Sequence, residues 1–437
     1  MNESKIIKIV AILSVLLIAI GGVLIWQQGQ LNKLFSSDKI SQLSFWKLVP
    51  ELIGFNGEKN YLLLFQNNLE LRPSGGYIGT FGILKMENAQ IKSFEVHDTN
   101  MFDHFGTVQT NPPQPIKDYL KVTNWQMRDG NWSPDFPTAA QQVEYFYHLQ
   151  GGQEEFDGII GVNAIVLEDL LKLIGSVYLS EFDKQFNSED VLYQVEYEVE
   201  QGYTQRGIDY GQRKTVFKAL IKEILSKVTE RDIQDQVELK DLLLEELNKK
   251  NIIVFLKNIE NQEVIANLSW NGAVDKFYNY DYLMINEANL SARKSNAFIK
   301  RSVDYQIDLT KERPEVTLKI EYDHQGKQID WFSTDYQAYL RVYVPHGSTS
   351  DQMESFDELG KTVFGNLIKV PTGQKMVIEF KYSLPEKIKQ DERYNILVQK
   401  QIGVESLPFK LILKDINQKT YIKEEIIEND WEGIISF

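Results

Sequence analysis

An apolar run of 18 residues near the N-terminus constrains the fold most. Ile9 to Trp26 contains no charged residue, and no later segment approaches it in length. A helix needs about 20 apolar residues to cross a hydrocarbon core, so the run predicts one transmembrane helix. Lys5 and Lys8 precede it, and the first basic residue after it is Lys33. By the positive-inside rule, residues 1–8 are cytoplasmic and the bulk of the chain is extracytoplasmic.

A cleaved signal peptide is the alternative interpretation of this run. The run is long for a signal-peptide core, and the sequence WQQGQLNK at its end offers no pair of small residues for cleavage. An uncleaved anchor is therefore favoured, with residues 27–57 as a stalk and packing segment. The expected protein crosses the plasma membrane once, with its N-terminus inside.

Charge and cysteine content exclude several classes of function. The chain has 47 Lys and Arg against 62 Asp and Glu, a formal charge of -15, which argues against a nucleic-acid partner because such binding needs a basic face. Cysteine is absent, so the chain has no disulfides, thiolate metal sites or cysteine nucleophiles.

Residues 58–300 alternate strand-like and helix-like segments. Tyr61 to Phe65 is a continuous apolar run typical of a buried strand, and Tyr77 to Met86 with Ile91 to Val96 predicts a hairpin. Helical periodicity, with capping residues before it or glycines after it, marks four further segments. These are 138–149, 164–174, 188–200 and 212–228. The alternation predicts an α/β domain with a mixed sheet and flanking helices.

Helix signals fade from about residue 301. Short alternating segments such as SVDYQIDL, EVTLKIEY and KMVIEFKY follow, separated by turn sequences such as Pro345-His346-Gly347. Residues 301–437 therefore predict an all-β sandwich, a fold that selects no function by itself.

Two stretches of the chain share one sequence pattern, and we call this repeat the internal echo. Asn60 to Ile78 and Asp281 to Ile299 align without a gap, and each contains an apolar strand followed by Asn-Leu-x-x-Arg-x-Ser. One interpretation is that Arg72 and Arg293 face a shared cleft. The other is a recurrent loop geometry in which each arginine pairs with local carboxylates.

Polar loop clusters are the candidate sites for chemistry. The arginines among them, Arg72, Arg128, Arg206 and Arg213, together with Ser74, can bind a pyrophosphate, and Asp98 and Asp103 offer oxygen ligands for Mg²⁺. The same combination is common in structural salt-bridge networks, so both interpretations stay open. Asp98 follows a predicted strand end, where ligands of α/β sheets tend to bind.

Several motifs together resemble a bacterial envelope family of unknown function, DUF4012. They are YLLLFQNNLELRPSGGYIGTFGILKMENAQI, MRDGNWSPDFPTAAQQ, EFDGIIGVNAIVLEDLLKLIGSV and YLMINEANLSARKSNAFIKRSVDY. The resemblance implies a single N-terminal anchor and a location outside the bacterial plasma membrane.

A fainter resemblance is to the LytR-CpsA-Psr phosphotransferases, which move glycopolymers from a polyprenyl-pyrophosphate carrier to the cell wall. The hairpin ending in Asp98-Thr99 and the segment from Arg206 to Arg213 carry it, although His97 stands where that family has arginine. The resemblance implies that Arg72, Arg206 and Arg213 bind pyrophosphate. It also implies that Asp98 or Asp103 holds Mg²⁺ or acts as the base.

Two functions therefore follow from the sequence. The first is a membrane-anchored envelope protein that binds a lipid-linked phosphate or glycopolymer through an arginine-lined pocket, with or without transfer to the cell wall. The ligand set is then Arg72, Ser74, Arg128, Arg206, Arg213 and Arg293, with Asp98 and Asp103 catalytic. The alternative is a non-catalytic adhesin or envelope-assembly scaffold in which the arginines are structural.

Overall fold

The computed structural model describes residues 48–104, 106, 108–229, 233–388 and 392–437. The predicted transmembrane run Ile9 to Trp26 and the predicted stalk up to residue 47 lie outside the described residues. Within the part of the chain that is described, no helix has both the length and the apolar character needed to span a membrane.

The N-terminal region is built on a five-stranded mixed sheet, as the sequence predicts. Its strand order is β3-β2-β1-β4-β7, with β1 and β4 parallel and the other neighbours antiparallel. The strands are β1 (Lys59–Arg72), β2 (Gly75–Glu87), β3 (Gln90–Asp98), β4 (Gly158–Asn163) and β7 (Ile252–Leu256). A separate ribbon pairs β5 (Val177–Leu179) with β6 (Lys184–Phe186).

Helices cover both faces of this sheet. They are α1 (Thr99–Asp103), α2 (Phe136–Leu149), α3 (Ile165–Ile174), α4 (Val191–Tyr197), α5 (Thr215–Thr229), α6 (Ile233–Asn248) and α7 (Ile259–Asn267). Leu63 of β1 packs in a core with α3 to α7, whereas Leu62 and Leu64 pack in a second core with α2. Because successive strand residues point to opposite faces, a strand covered on both sides reads as a continuous apolar run.

The C-terminal region is rich in β-strands, as the sequence also predicts. One sheet has the order β12-β13-β11-β8-β15-β18 and the other β14-β10-β9-β16-β17. Residues of both sheets share one hydrophobic core, which is the face-to-face packing of a β-sandwich. The strands are β8 (Asp281–Asn289), β9 (Ile299–Asp308), β10 (Glu315–His324), β11 (Tyr336–Pro345), β12 (Ser355–Glu358), β13 (Lys361–Val370), β14 (Lys375–Ser383), β15 (Arg393–Val398), β16 (Leu407–Lys414), β17 (Thr420–Ile427) and β18 (Trp431–Ser436).

Strand β8 corrects the boundary drawn at residue 300. The sequence analysis places residues 281–300 in the α/β domain, but β8 pairs with β11 and β15 of the six-stranded sheet. Every residue of β8 is buried because both of its faces are covered: Leu283 and Ile285 pack in the core between the two sheets, and Tyr282 and Met284 pack in a smaller cluster on the other face. Apolar periodicity reveals such a strand without revealing its partners.

Buried side-chain hydrogen bonds join the two regions. Gln401 donates from Nε2 to the carbonyls of Arg72 in β1 and Glu287 in β8, at 3.1 and 2.8 Å. Asn286 of β8 donates to the carbonyl of Pro73 at 2.7 Å. These contacts hold the C-terminal end of β1 against β8, so the two copies of the internal echo lie beside each other.

Candidate functional site

A cleft that is open to solvent lies beside β1 and β4. Its walls come from helices α3, α4 and α5, which cover the same face of the sheet. Most of the lining side chains are apolar, and they include Phe65, Val166, Leu167, Leu170, Val195 and Phe217. The apolar faces of the three helices therefore do not close completely on the sheet.

Helix α3 shows how the sequence produces this wall. Val166 and Leu170 are spaced four residues apart and lie on one face of the helix, where both are buried. The helix ends at Gly175, whose φ of +80° is readily adopted only by glycine. Leu167, one position further round the helix, is half-buried and faces the cleft.

A cluster of ionisable side chains borders the apolar lining. It consists of Glu196, Glu200, Arg213, Lys214 and Lys294, all of which line the cleft, and of the neighbouring Asp98. We refer to these six residues as the ionic cluster. Its members come from β3, the end of α4 and the turn after it, the start of α5, and the loop between β8 and β9.

Lys214 and Asp98 form the tightest pair of the ionic cluster. The Lys214 ammonium donates to Asp98 Oδ1 at 2.9 Å and also to the carbonyl of Gly79. Asp98 ends β3 and caps α1, where its Oδ1 accepts from the Asn100 backbone N–H at 2.8 Å. Burial lowers the pKa of Lys214, and the charge of Asp98 partly opposes this effect.

Lys294 lies between two carboxylates. Its Nζ is 3.3 Å from Glu70 Oε2 and 3.5 Å from Glu196 Oε2. Burial disfavours the charge of Lys294, but Glu196 and Glu70 together raise its pKa. Burial raises the pKa of Glu196, and the charge of Lys294 opposes this while the nearby Glu200 adds to it.

Arg213 is the one predicted arginine that lines the cleft. Its Nη1 is 3.3 Å from Glu200 Oε1, and its guanidinium lies 4.4 Å from the ring centroid of Tyr210. Its Nε is 3.9 Å from Asp98 Oδ2, too far for a hydrogen bond, and both atoms are buried without a hydrogen-bond partner. Arg213 therefore has one donor without a hydrogen bond in this structure.

Arg72 lies in a buried network instead. It donates from Nε to Asp129 Oδ1, from Nη2 to Glu70 Oε1 and from Nη1 to the carbonyl of Asn289, each at 3.0 Å. It also stacks on the ring of Tyr77, which lines the cleft. This saturated arginine holds β1 to β8 and has the structural role that the sequence left open.

Ser74, Asp103 and Arg128 also have contacts within the fold. The buried Ser74 hydroxyl donates to the Asn131 carbonyl at 3.4 Å. Asp103 accepts from the backbone N–H groups of Met127 and Arg128 at 3.1 and 3.2 Å, and burial raises its pKa to about 6. The Arg128 guanidinium is 3.9 Å from the Asp129 carboxylate.

Arg206 and Arg293 lie outside the cleft lining. Arg206 forms a two-pronged pair with Glu198, at 2.9 and 3.2 Å, and stacks on the ring of Phe182. Arg293 is exposed. Of the eight residues that the sequence predicts, the structure thus brings only Asp98 and Arg213 together at the cleft.

The surroundings of Asp98 do not fit the predicted Mg²⁺. Its charged neighbours are Lys214 and Arg213, and two cations beside one carboxylate disfavour a third. Mg²⁺ prefers several oxygen ligands in an octahedral arrangement. Within the described ranges, neither Asp98 nor Asp103 belongs to a group of three or more side chains that can converge on a metal ion.

The sequence analysis missed Lys214, Lys294 and Glu196. Lys214 directly follows Arg213, and Lys294 follows Arg293 in the second copy of the echo, so both lie beside residues that were selected. The prediction favoured arginine over lysine because a guanidinium group can bind phosphate through two parallel hydrogen bonds. Lys214 lines the cleft together with Arg213, whereas Lys294 lines it and Arg293 does not.

The matched family model covers most of the residues that line the cleft. Residues 56–199 match the model described as "Protein of unknown function (DUF4012)", which confirms the resemblance drawn from the sequence motifs. The match contains β1 to β4 and α1 to α4, and with them Asp98 and Glu196. It ends before Arg213. Among curated proteins, none matches the chain.

Solved structures with a detectable likeness include two bacterial proteins. Protein gbs0355 from Streptococcus agalactiae is 11% identical, with a TM-score of 0.32 over 52% of this chain and 76% of that one. TagV from B. subtilis is 12% identical, with a TM-score of 0.28 over 49% of this chain and 79% of its own. Likenesses at this level support no statement about function.

Proposed function

We propose that the cleft binds the hydrocarbon chain of a lipid-linked phosphate, with the phosphate at the ionic cluster. The single observation that supports this most is the lining itself: apolar side chains of α3, α4 and α5 border a compact group of charged ones. A ligand with a long apolar part and a small charged part matches that division.

The apolar walls favour a hydrocarbon occupant on energetic grounds. Transfer of a methylene group from water to an apolar site stabilises the bound state by about 0.8 kcal/mol. A prenyl chain that replaces water beside Phe65, Leu167 and Leu170 gains this stabilisation for each methylene group that it buries. The cost of extracting the chain from a bilayer offsets much of it, so the headgroup contacts decide whether the lipid stays in the membrane or enters the cleft.

The charges of the ionic cluster define how a phosphate would bind. Three cations, Arg213, Lys214 and Lys294, are balanced by carboxylates already in place. A phosphate therefore displaces a carboxylate rather than filling an empty basic pocket. Glu200 is the most exposed of these carboxylates, with 37% of its side chain accessible. It can move into solvent and leave Arg213 to the phosphate.

The contacts of Arg72 and Arg206 favour binding of the lipid-linked phosphate over its transfer to an acceptor. The pyrophosphate-binding role implied for Arg72 and Arg206 would require each to leave a carboxylate that it contacts at 3.0 Å or less. Removal of one partner from a buried pair costs roughly 3–5 kcal/mol. The buried contacts of Arg72 favour the alternative function, a non-catalytic envelope scaffold. A scaffold of this kind would bind no lipid in the cleft.

The membrane anchor and the exterior location belong to the same proposal. They rest on Ile9 to Trp26 and the lysines before it, and they would place the cleft beside the bilayer that supplies its lipid. A glycopolymer carried on that phosphate, or the cell wall itself, would then be the partner outside.

Single cysteines test this topology, because the chain has none of its own. Ser180→Cys, at an exposed position, and Ser4→Cys, before the apolar run, would be expressed separately in bacteria. We expect a membrane-impermeant maleimide to label intact cells carrying Ser180→Cys and not those carrying Ser4→Cys. The reverse pattern would contradict the exterior location.

A photoreactive prenyl phosphate tests the cleft. With the full-length protein in lipid nanodiscs, we expect cross-linked peptides from α3, α4 and α5, suppressed by excess prenyl phosphate. Prenyl alcohol should compete less, since it lacks the charge that Arg213 and Lys214 would bind. Labels confined to other elements would contradict the site, and equal competition by the alcohol would contradict the role of the ionic cluster.

A further inference from the structure

We propose that Glu144, His148 and Glu155 form a site for a transition-metal ion of the Zn²⁺ class. One ligand atom from each lies within 4.8 Å of the other two. Glu144 and His148 are four residues apart on α2 and so lie on one face of that helix, while Glu155 comes from the loop that follows it. Helix α2 packs in the core opposite the cleft, so this site is independent of the proposed function.

The tautomer of His148 supports a metal-ligating role. Its Nδ1 is 3.1 Å from the Gly152 carbonyl, and because a carbonyl only accepts, Nδ1 carries the proton. The Nε2 of a neutral ring then presents its lone pair toward Glu144 Oε1, 3.8 Å away. Nε2 and Oε1 are then two donor atoms that one cation can share. Histidines that bind metals commonly donate their other ring nitrogen to a carbonyl in this way.

In this structure, the ammonium group of Lys257 supplies a positive charge to the three side chains. Its Nζ is 2.6 Å from Glu144 Oε1 and 3.8 Å from Glu155 Oε2. Glu144 is a buried carboxylate, with 8% of its surface exposed, and such a group needs a positive partner. The ammonium of Lys257, with 38% of its side chain exposed, can move into solvent when a divalent ion takes its place.

The loop that carries Glu155 is held near α2 by backbone contacts. Gly151 and Gly152 close the helix by donating to the carbonyls of His148 and Tyr147, at 2.9 and 3.0 Å. Asn60 donates from Nδ2 to the Glu155 carbonyl at 3.2 Å. With 82% of its side chain exposed, the Glu155 carboxylate can turn the short distance that metal coordination requires.

The donor set selects the metal. Zn²⁺ binds imidazole nitrogen and carboxylate oxygen at roughly 2.0–2.2 Å and accepts four ligands. Mg²⁺ and Ca²⁺ prefer oxygen ligands alone, so the imidazole of His148 disfavours them. Three protein ligands leave a fourth position for water.

Titration of the full-length protein with Zn²⁺ tests the site, with Co²⁺ absorption as a second readout of four-coordinate geometry. We expect one saturable equivalent in the wild type. His148→Ala should weaken binding by about tenfold or more. His346→Ala is the matched control, because His346 is an exposed histidine that also faces a carboxylate, Asp357, at 3.3 Å, and it should leave the affinity unchanged.

Lys257→Met gives a test that no general loss of folding can imitate. Removal of the competing ammonium leaves Glu144 and Glu155 available, so this variant should bind Zn²⁺ more tightly than the wild type. The proposal is overturned if neither protein shows saturable Zn²⁺ binding, if His148→Ala binds as tightly as the wild type, or if Lys257→Met binds more weakly.

Discussion

Arg72 and Arg213 carry the same side chain in different surroundings. Arg72 is 2% exposed, and Asp129, Glu70 and a backbone carbonyl accept its hydrogen bonds. Arg213 is almost as buried but leaves its Nε without a hydrogen-bond partner. The difference separates an arginine whose three nitrogens all donate hydrogen bonds from one with an unpaired donor, and it depends on neighbours rather than on residue type.

Asp281 makes the stability of the protein depend on pH. It is fully buried at the start of β8, where it accepts from the hydroxyls of Tyr305, at 2.6 Å, and Tyr394. Burial raises its pKa to about 6, and these hydroxyls partly oppose that rise. The unfolded chain has a value of about 3.9, so the folded state binds the proton more tightly. The stabilising contribution is complete below about pH 4 and is lost as pH rises through about 6.

Asp281→Asn should therefore reduce the loss of stability between about pH 5 and pH 7.5. The full shift of about two pKa units corresponds to roughly 3 kcal/mol, of which roughly 1.4 kcal/mol is lost between these two pH values. Thermal unfolding at the two pH values measures this, with Asp304→Asn, an exposed position on β9, as the matched control. An Asp281→Asn protein that keeps the full pH dependence of the wild type would contradict the assignment.

At the scale of elements, local periodicity predicted many of the strands and helices, but not α6 or α7. The run from Tyr61 to Phe65 reads as a strand covered on both faces, and β1 is buried in that way. Asn88 and Ala89, both with positive φ, turn the hairpin between β2 and β3 where the sequence placed it. Such features depend on a few neighbouring residues, so the sequence contains them directly.

Pairing between distant elements was less predictable. Strand β8 has the apolar pattern of a buried strand, but its neighbours β11 and β15 lie some distance further along the chain. Likewise, one of the two carboxylates that accept hydrogen bonds from Arg72 belongs to Asp129, 57 positions away. The sequence identified Asp98 and Arg213 because each lies at the end or start of a recognisable element. It could not show that Lys214 and Lys294 converge on the same cleft.

At the scale of the whole molecule, the cleft belongs to the α/β region, but one cation of its ionic cluster does not. Lys294 follows β8, which is part of the C-terminal sheets, and it reaches Glu70 of β1 and Glu196. The hydrogen bonds of Gln401 to β1 and β8 hold this arrangement. The β-rich region therefore completes the site rather than acting only as a spacer.

The affinity of the full-length protein for a fluorescent prenyl phosphate tests the central claim most directly. Leu167→Trp places a bulkier side chain in the cleft, and overpacking of this kind costs about 1–3 kcal/mol, which corresponds to binding that is weakened roughly 5- to 150-fold. Ile422→Trp, at a side chain that is 62% exposed on β17, is the matched control. The account predicts weakened binding for Leu167→Trp and wild-type binding for Ile422→Trp. Equal affinities in all three proteins, each shown to be folded, would contradict it.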